Sequence, residues 1–123
     1  MTLASTCIAI AAILPIVCAG LSKWGLRGYD NRDPRGWAQA LTGRRKRANA
    51  AQANSWEAFP VFAAGVLVAQ QAGAAQATVD LMAAAFIAAR IVYIAMYVAD
   101  LATLRSVVWI VGFALSIALF FVG

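Results

Sequence analysis

The chain has 123 residues, of which 63% are hydrophobic and 12% are charged, and its mean hydropathy is +0.78. This composition excludes a disordered protein, which needs low hydrophobicity and high charge. A water-soluble domain of this length has too little interior to bury so much apolar surface. We therefore expect a single domain, residues 1–123, that is embedded in a lipid bilayer.

Charged residues divide the chain into four apolar stretches, each close to the 20 or so residues that a membrane-spanning helix needs. Residues 1–22, 58–79 and 106–123 are uncharged, and only Arg90 interrupts the stretch between Asp80 and Asp100. We therefore predict an all-α fold, a transmembrane four-helix bundle with a first loop at 25–46. Its helices are expected near residues 2–24, 47–72, 78–99 and 103–122.

Local signals support these boundaries. Gly73 follows the second stretch, where glycine commonly ends a helix. Thr78 is expected to cap the third helix, with Asp80 in its first turn, where the helix dipole favours a carboxylate. The first loop contains Asp33-Pro34 within a run of turn-forming residues.

The basic residues predict the orientation. Eight of the ten lie between Lys23 and Arg47, Arg105 lies beside the third loop, and the second loop has none. The positive-inside rule then puts loops one and three in the cytoplasm and both termini on the opposite side of the membrane, the inner membrane if the chain is bacterial. Basic clusters at helix edges are typical of such topology signals or of contacts with anionic lipids. Because no aromatic ladder accompanies this cluster, we expect no nucleic-acid partner.

The residue types that are absent restrict the chemistry. The chain has no histidine and only two cysteines, Cys7 and Cys18. In one helix these would lie roughly 16 Å apart, too far for a disulfide, and two thiolates alone do not form a metal site. We expect both cysteines to be packing residues and the protein to hold no metal.

Polar residues within the second helix mark one part of a candidate site. Burying a charge in a bilayer costs at least ~2.5–3.5 kcal/mol, so such a residue needs a partner or a wet cavity. Asn54 and Glu57 are three residues apart and share a helix face, and Arg47 lies on the same stripe two turns earlier. A carboxylate at the headgroup level is the simpler interpretation of Glu57.

Polar residues of the third and fourth helices complete the set. Arg90, Tyr93 and Tyr97 form one stripe with Asp100, and we expect Arg90 to face the interior with Glu57 as its counter-ion. Arg105 and Ser106 open the fourth helix, where a surface salt bridge to Asp100 is the simpler role for Arg105. The topology brings all three helices together at the cytoplasmic half. Guanidinium, carboxylate and amide groups together suit a small zwitterion with several carboxylates.

These residues resemble the MAPEG family, the membrane-associated proteins of eicosanoid and glutathione metabolism. The resemblance extends over essentially the whole chain. It rests on Gln52-x-Asn54-x-x-Glu57-x-Phe59-Pro60, on Arg90-x-x-Tyr93-x-x-x-Tyr97, and on Arg105 at the start of the fourth helix. Residues 29–35 are similar to those of bacterial members without an assigned function.

The resemblance implies a homotrimer that binds glutathione, as co-substrate, between subunits near the cytoplasmic face. It implies a transferase or peroxidase that acts on lipophilic electrophiles taken from the bilayer, so that lipids or other lipophilic small molecules are partners. Arg105, with Ser106, would lie at the thiol and stabilise the thiolate. The implied glutathione contacts are Gln52, Asn54, Glu57, Arg90, Tyr93, Tyr97 and, from its position on the stripe of Asn54, Arg47.

Two other functions stay open. A non-catalytic binding or scaffold protein would use the same polar residues for assembly, and Ala50, where eukaryotic members often have arginine, favours it. A small exporter would use an intramembrane carboxylate that is free to bind a proton or a cation. The expected pairing of Glu57 with Arg90 speaks against the exporter.

Overall fold

The computed structural model of the chain describes residues 1–24 and 28–123. These residues form five helices and no strand. The helices are α1 (Leu3–Lys23), α2 (Pro34–Gln39), α3 (Gly43–Gln71), α4 (Gln76–Val98) and α5 (Ala102–Leu119). Residues 25–27 of the predicted first loop, Arg27 among them, lie outside the described residues. The all-α prediction is confirmed.

The start of α3 differs from the prediction, and the first loop contains an additional helix. α3 begins at Gly43 rather than near residue 47. The basic residues Arg44, Arg45 and Lys46, predicted to lie in the loop, belong to its first turn. The first loop contains the short helix α2, which was not predicted. Asp33 accepts a hydrogen bond from the Gly36 N–H, and Pro34 occupies the first turn of α2, an arrangement typical of helix starts.

The expectation that Thr78 caps α4, with Asp80 in the first turn, is wrong. α4 begins at Gln76 after Ala75, and no side chain caps it. The Asp80 carboxylate instead accepts hydrogen bonds from the Ala4 N–H of α1 (2.9 Å) and from the Gln76 amide (2.7 Å). Asp80 therefore satisfies an unpaired N–H at the start of a neighbouring helix, where a negative charge is favourable.

Glycine and aspartate end α3 and α4 in the same way. Gly73 and Asp100 both have positive φ, 79° and 63°. The N–H of Ala74 donates to Ala69 and that of Leu101 to Met96, the pattern of a Schellman motif. The predicted glycine signal at Gly73 is confirmed, and the Asp100 turn leads directly into α5.

The packed long helices have two ends that differ in the parts of the chain they hold. Thr2 accepts a hydrogen bond from Gln70, and Gly123 lies against Ala72, so both termini lie at the end where α3 leads into α4. At the opposite end, Arg47 donates to the Val98 carbonyl (3.1 Å). The described residues of the basic first loop lie at this second end, which we call the basic end.

Within residues 1–24 and 28–123, three helices are long and apolar enough to cross a membrane: α1, α4 and α5. α3, predicted as a fourth span, is not among them, because basic residues and amides occupy much of its length. α3 and α4 each contact all the other long helices. Phe62 of α3 stacks on Phe86 of α4 with ring centroids 4.0 Å apart, within the apolar core.

A glycine permits the close approach of α3 and α5. A Cβ atom added at Gly65 would lie 2.8 Å from the backbone oxygen of Ser116 and 3.1 Å from the Cβ of Leu119. Backbone atoms cannot rotate away as a side chain can. The distance between these two helices therefore depends on Gly65.

We predict that Gly65→Ala destabilises the protein by about 1–3 kcal/mol through overpacking. Gly20→Ala is the matched control, because a Cβ there meets no atom of the described residues within 4 Å. It should be neutral or stabilising by up to about 1 kcal/mol, since alanine is the better helix former. Thermal unfolding in detergent measures both, and equal stability of the two variants would contradict the predicted packing.

Candidate functional site

Two tyrosine side chains lie between two arginine side chains along α4 and into α5. The Arg90 guanidinium carbon lies 4.2 Å from the centre of the Tyr93 ring, and that of Arg105 lies 4.4 Å from the centre of the Tyr97 ring. The two tyrosine rings meet edge to face at 5.7 Å. Cations over aromatic faces are attractive, by about 0.5–2 kcal/mol each. We call these four residues the cation–aromatic column.

Arg90 is 4% exposed and donates a hydrogen bond to the Ser55 hydroxyl of α3 (3.3 Å). Within the described residues it forms no ion pair with Glu57, so the expected counter-ion is wrong. The reason is helical geometry: Ser55 and Glu57 are two residues apart and therefore point about 200° apart around α3. Arg90 packs against the Ser55 side, and the Glu57 side chain is exposed.

Glu57 nevertheless lines one cavity together with Arg90. This inner cavity has a volume of about 90 Å³ and lies between α3, α4 and α5. Asn54 also lines it, and its amide oxygen is buried and accepts no hydrogen bond from the described residues. An unpaired buried acceptor is uncommon. The Glu57 carboxylate lines the same cavity and is an acceptor suited to a donor such as an ammonium group.

A second, outer cavity of about 380 Å³ lies nearer the basic end. It shares Asn54 and Trp109 with the inner cavity, so the two adjoin. The predicted site residues on its walls are Asn54, Tyr93, Tyr97, Arg105 and Ser106. Arg105 packs on Tyr97, and the described residues show no salt bridge between it and Asp100. The Asp100 turn brings the start of α5 back against Tyr97.

Two predicted site residues lie elsewhere. Gln52 lines a different cavity, between α1, α2 and α3, because it is two residues from Asn54 and faces the other side of the helix. Arg47 does share the stripe of Asn54, but its guanidinium donates to the Val98 carbonyl at the end of α4. It therefore satisfies a helix end.

Residues 3–123 match the family model of the MAPEG family. The chain belongs to the MAPEG family. Neither the curated proteins nor the solved structures include a match. MAPEG proteins are membrane proteins that include glutathione-dependent transferases and peroxidases. Together with the three apolar helices, the membership identifies an integral membrane protein.

Aromatic side chains that the sequence reasoning missed line the cavities of this MAPEG protein. Trp109 lies in both cavities, and Phe113 lies in the inner one. Their rings are parallel, within 5°, with centroids 5.1 Å apart. The available signal was spacing, because Trp109 and Phe113 follow Arg105 at intervals of four residues and so share its helix face.

The polar side chains at the two cavities of this MAPEG protein include both acceptors and donors of hydrogen bonds. Glu57 and the Asn54 oxygen are acceptors suited to an ammonium group, and Arg90 and Arg105 are donors suited to anions. Among the described residues no group of three or more metal-ligating side chains comes together. Cys7 and Cys18 are buried and unbonded, consistent with packing roles.

Because Arg90 and Glu57 form no ion pair within the described residues, substitutions at these two positions should change the free energy of unfolding by different amounts. Arg90→Ala should destabilise the protein by about 1–3 kcal/mol, because the Ser55 hydroxyl loses its donor and a void remains. Arg90→Met, which keeps the apolar stem, should cost less. Glu57→Gln should change the free energy of unfolding by no more than about 0.5 kcal/mol.

Thermal unfolding in one detergent compares the three variants. An ion pair would make Glu57→Gln cost about 3–5 kcal/mol, since it would leave a buried charge without its partner. A large loss of stability in Glu57→Gln would therefore show that the pair forms in the protein.

Proposed function

We propose that this MAPEG protein binds glutathione in the inner and outer cavities and transfers it to lipophilic electrophiles, with Arg105 stabilising the thiolate. The observation that carries the proposal is the position of Arg105, stacked on Tyr97 at the wall of a cavity that it shares with Ser106 and Asn54. Stacking on the ring restrains a long side chain, and a charge so fixed costs little reorganisation during reaction.

The inner cavity supports binding of the peptide's charged groups. The Glu57 carboxylate and the Asn54 oxygen would hold the ammonium, and Arg90 would bind a carboxylate. Arg90 is suited to this role because Ser55 accepts only one of its five N–H donors. Tyr93 and Tyr97 would line the path between the two charged groups.

Thiolate stabilisation by a guanidinium is sufficient chemistry for this reaction. A free thiol has a pKa of about 8.5, so only a few per cent is thiolate at pH 7. A cation beside the sulfur favours the charged form, by about 1.4 kcal/mol for each unit by which the pKa falls. In conjugation the thiolate forms a carbon–sulfur bond and the leaving group departs with its electron pair. In peroxide reduction two glutathione molecules supply the electrons and become the disulfide, and the hydroperoxide becomes an alcohol and water.

The aromatic residues of α5 support a lipophilic acceptor. Trp109 and Phe113 extend from the outer cavity along the inner one, which Val61 and Phe86 also line. Several neighbouring apolar side chains of α5 are exposed, for example Ile110 at 61%. An apolar substrate dissolved in the bilayer would reach the sulfur along this face.

The assembly and the orientation are part of the same proposal. A homotrimer, with α3 as a fourth span, would cover the face on which Glu57 and Ser106 are exposed and enclose the glutathione. The basic end would face the cytoplasm, where glutathione is abundant, and both termini would lie on the opposite side.

We predict that Arg105→Ala lowers kcat/KM for conjugation of glutathione to a chlorodinitrobenzene-type acceptor about a hundredfold or more. Reduction of a lipid hydroperoxide by the purified protein should fall likewise. Arg105→Lys should retain part of the activity, and Arg32→Ala, an equal loss of charge in the exposed loop, should retain all of it. The deficit of Arg105→Ala should shrink as the pH rises through the pKa of the free thiol.

Calorimetric titration of glutathione into the detergent-solubilised protein separates binding from turnover. No binding and no activity in the wild type would reject the proposal. Binding without turnover of either acceptor would reject the catalytic half and favour the scaffold function. A deficit of Arg105→Ala that stays constant with pH would contradict the thiolate role.

A small exporter is the second candidate, because the Glu57 carboxylate is exposed and has no ion-pair partner among the described residues. The presence of Arg90 in the same cavity lowers the affinity of that cavity for a cation. Proton-coupled uptake of a cationic dye into proteoliposomes, abolished by Glu57→Gln, would favour export over transfer.

A further inference from the structure

A further cavity, outside the proposed glutathione site, lies at the basic end. It has a volume of about 430 Å³ and lies where the end of α1, the first turn of α3 and the end of α4 meet. We call it the arginine cavity. Its lining residues are Leu21, Trp24, Arg44, Arg45 and Val98.

The arginine cavity is separate from the other cavities at this end of the molecule. It shares no lining residue with the inner or the outer cavity, nor with the cavity that Gln52 lines. Lys23 also lines the cavity of Gln52, and it is two residues from Leu21, so the two side chains point about 200° apart around α1. The arginine cavity therefore lies on the other side of α1.

The charge of the arginine cavity is positive. Arg44 and Arg45 contribute two cations, and none of its lining residues within 1–24 and 28–123 is a carboxylate. The first turn of α3 contains no acidic residue either. An anion in this cavity would therefore meet two guanidinium groups and no competing negative side chain on its walls.

A hydrogen bond holds one of the two arginines in place. The Arg45 guanidinium donates to the backbone carbonyl of Trp24 at the end of α1, where carbonyl groups have no partner within their own helix. This contact uses one of the five N–H donors of Arg45, so the others stay available to a ligand. Because the side chain is already restrained, binding a ligand costs less conformational entropy.

The walls of the arginine cavity change from cationic to apolar along the helix axes. Arg44 and Arg45 lie in the first turn of α3, the part of that helix nearest the basic end. Leu21 lies about one turn deeper in α1 than Trp24, and Val98 is the last residue of α4. Leu21 and Trp24 are 45% and 79% exposed, and an exposed tryptophan beside cations is typical of the level of lipid headgroups. The cations therefore lie outermost, and apolar surface continues from them toward the interior of the bilayer.

We infer that the arginine cavity binds an anionic phospholipid, with the phosphate on Arg44 and Arg45 and the first part of the acyl chains on Leu21 and Trp24. The planar guanidinium donates two parallel hydrogen bonds to phosphate oxygens. A free anion would satisfy the arginines but leave the apolar wall in contact with water. A zwitterionic headgroup is disfavoured, because its own cation would approach the arginines with no carboxylate on the walls to receive it. This inference does not depend on the glutathione site.

Titration of short-chain phosphatidylglycerol into the detergent-solubilised protein, read by native mass spectrometry, tests the inference. The wild type should bind one lipid per chain at least tenfold more tightly than phosphatidylcholine of the same chain length. Arg44→Gln combined with Arg45→Gln should weaken phosphatidylglycerol binding about tenfold or more. The control combines Arg32→Gln with Lys46→Gln, an equal loss of charge outside the cavity, and should change binding less than about threefold. Equal weakening in both double variants, or no preference for phosphatidylglycerol, would overturn the inference.

A second pair of variants keeps both arginines and tests the apolar wall. Leu21→Asp places a carboxylate where the inference puts the lipid and should weaken phosphatidylglycerol binding about tenfold. Leu101→Asp is the matched control, because Leu101 lies at the same end, outside the cavity, and is 47% exposed, close to the 45% of Leu21. It should change binding less than about threefold. Unchanged binding in Leu21→Asp would overturn the inference even if the double arginine variant failed to fold.

Two competitors identify the ligand. Millimolar inorganic phosphate should not displace phosphatidylglycerol from the wild type, since the lipid is also held by its chains, and displacement by phosphate would overturn the lipid source. Glutathione at the same concentration should not displace it either. Displacement by glutathione would overturn the separation of the arginine cavity from the proposed glutathione site.

Discussion

The buried guanidinium of Arg90 is the constraint on which the polar interior depends. A charge at this depth of a membrane span costs at least ~2.5–3.5 kcal/mol, and the chain compensates it with one hydroxyl and one aromatic face. The hydrogen bond to Ser55 is short-range and directional, so α3 and α4 must meet where Ser55 lies. The inner cavity forms beside this contact.

The charge of Arg90 is stabilised by a hydroxyl group and an aromatic ring rather than by a carboxylate, and this affects what the inner cavity can bind. An Arg90–Glu57 ion pair would have used the carboxylate of Glu57 and up to two of the five N–H donors of Arg90. With Ser55 and Tyr93 as partners, Arg90 keeps N–H donors in the inner cavity, while Glu57 and the oxygen of Asn54 keep their acceptor capacity. Opposite charges held near each other but not paired are an arrangement suited to binding a zwitterion. The missing ion pair therefore favours a binding site over a purely structural core.

The sequence was informative wherever one helix decides the geometry. The stripe of Arg90, Tyr93 and Tyr97 follows from offsets of three and four residues, and the column observed on α4 has this spacing. The helices α1, α4 and α5 also followed from apolar length, and the Gly73 turn followed from glycine chemistry.

The predictions failed where the partner of a side chain depends on how a second helix packs against its own. Asp80 was expected to favour its own helix, but the start of α1 lies close enough to use its carboxylate. Glu57 was assigned to Arg90 by charge alone, whereas Ser55 lies on the face that meets α4. Gln52 is the third case, because a motif gives the residues in order but not the side of the helix that each faces. Neighbouring backbones decide such choices, and a single sequence does not encode their positions locally.

The unusual composition of α3 follows from the same geometry. It is the long helix that falls short of the apolar character of a membrane span, and its polar residues fall into three sets. Asn49 and Gln52 face the cavity between α1, α2 and α3, Asn54 and Glu57 face the inner cavity, and Arg47 satisfies the end of α4. Residues two positions apart serve opposite sides, so α3 is polar around much of its circumference in its first half and apolar only beyond Pro60. Because α3 lies between two cavities that its polar residues line, it cannot also present a continuous apolar surface. Its hydropathy is therefore lower than that of the other long helices.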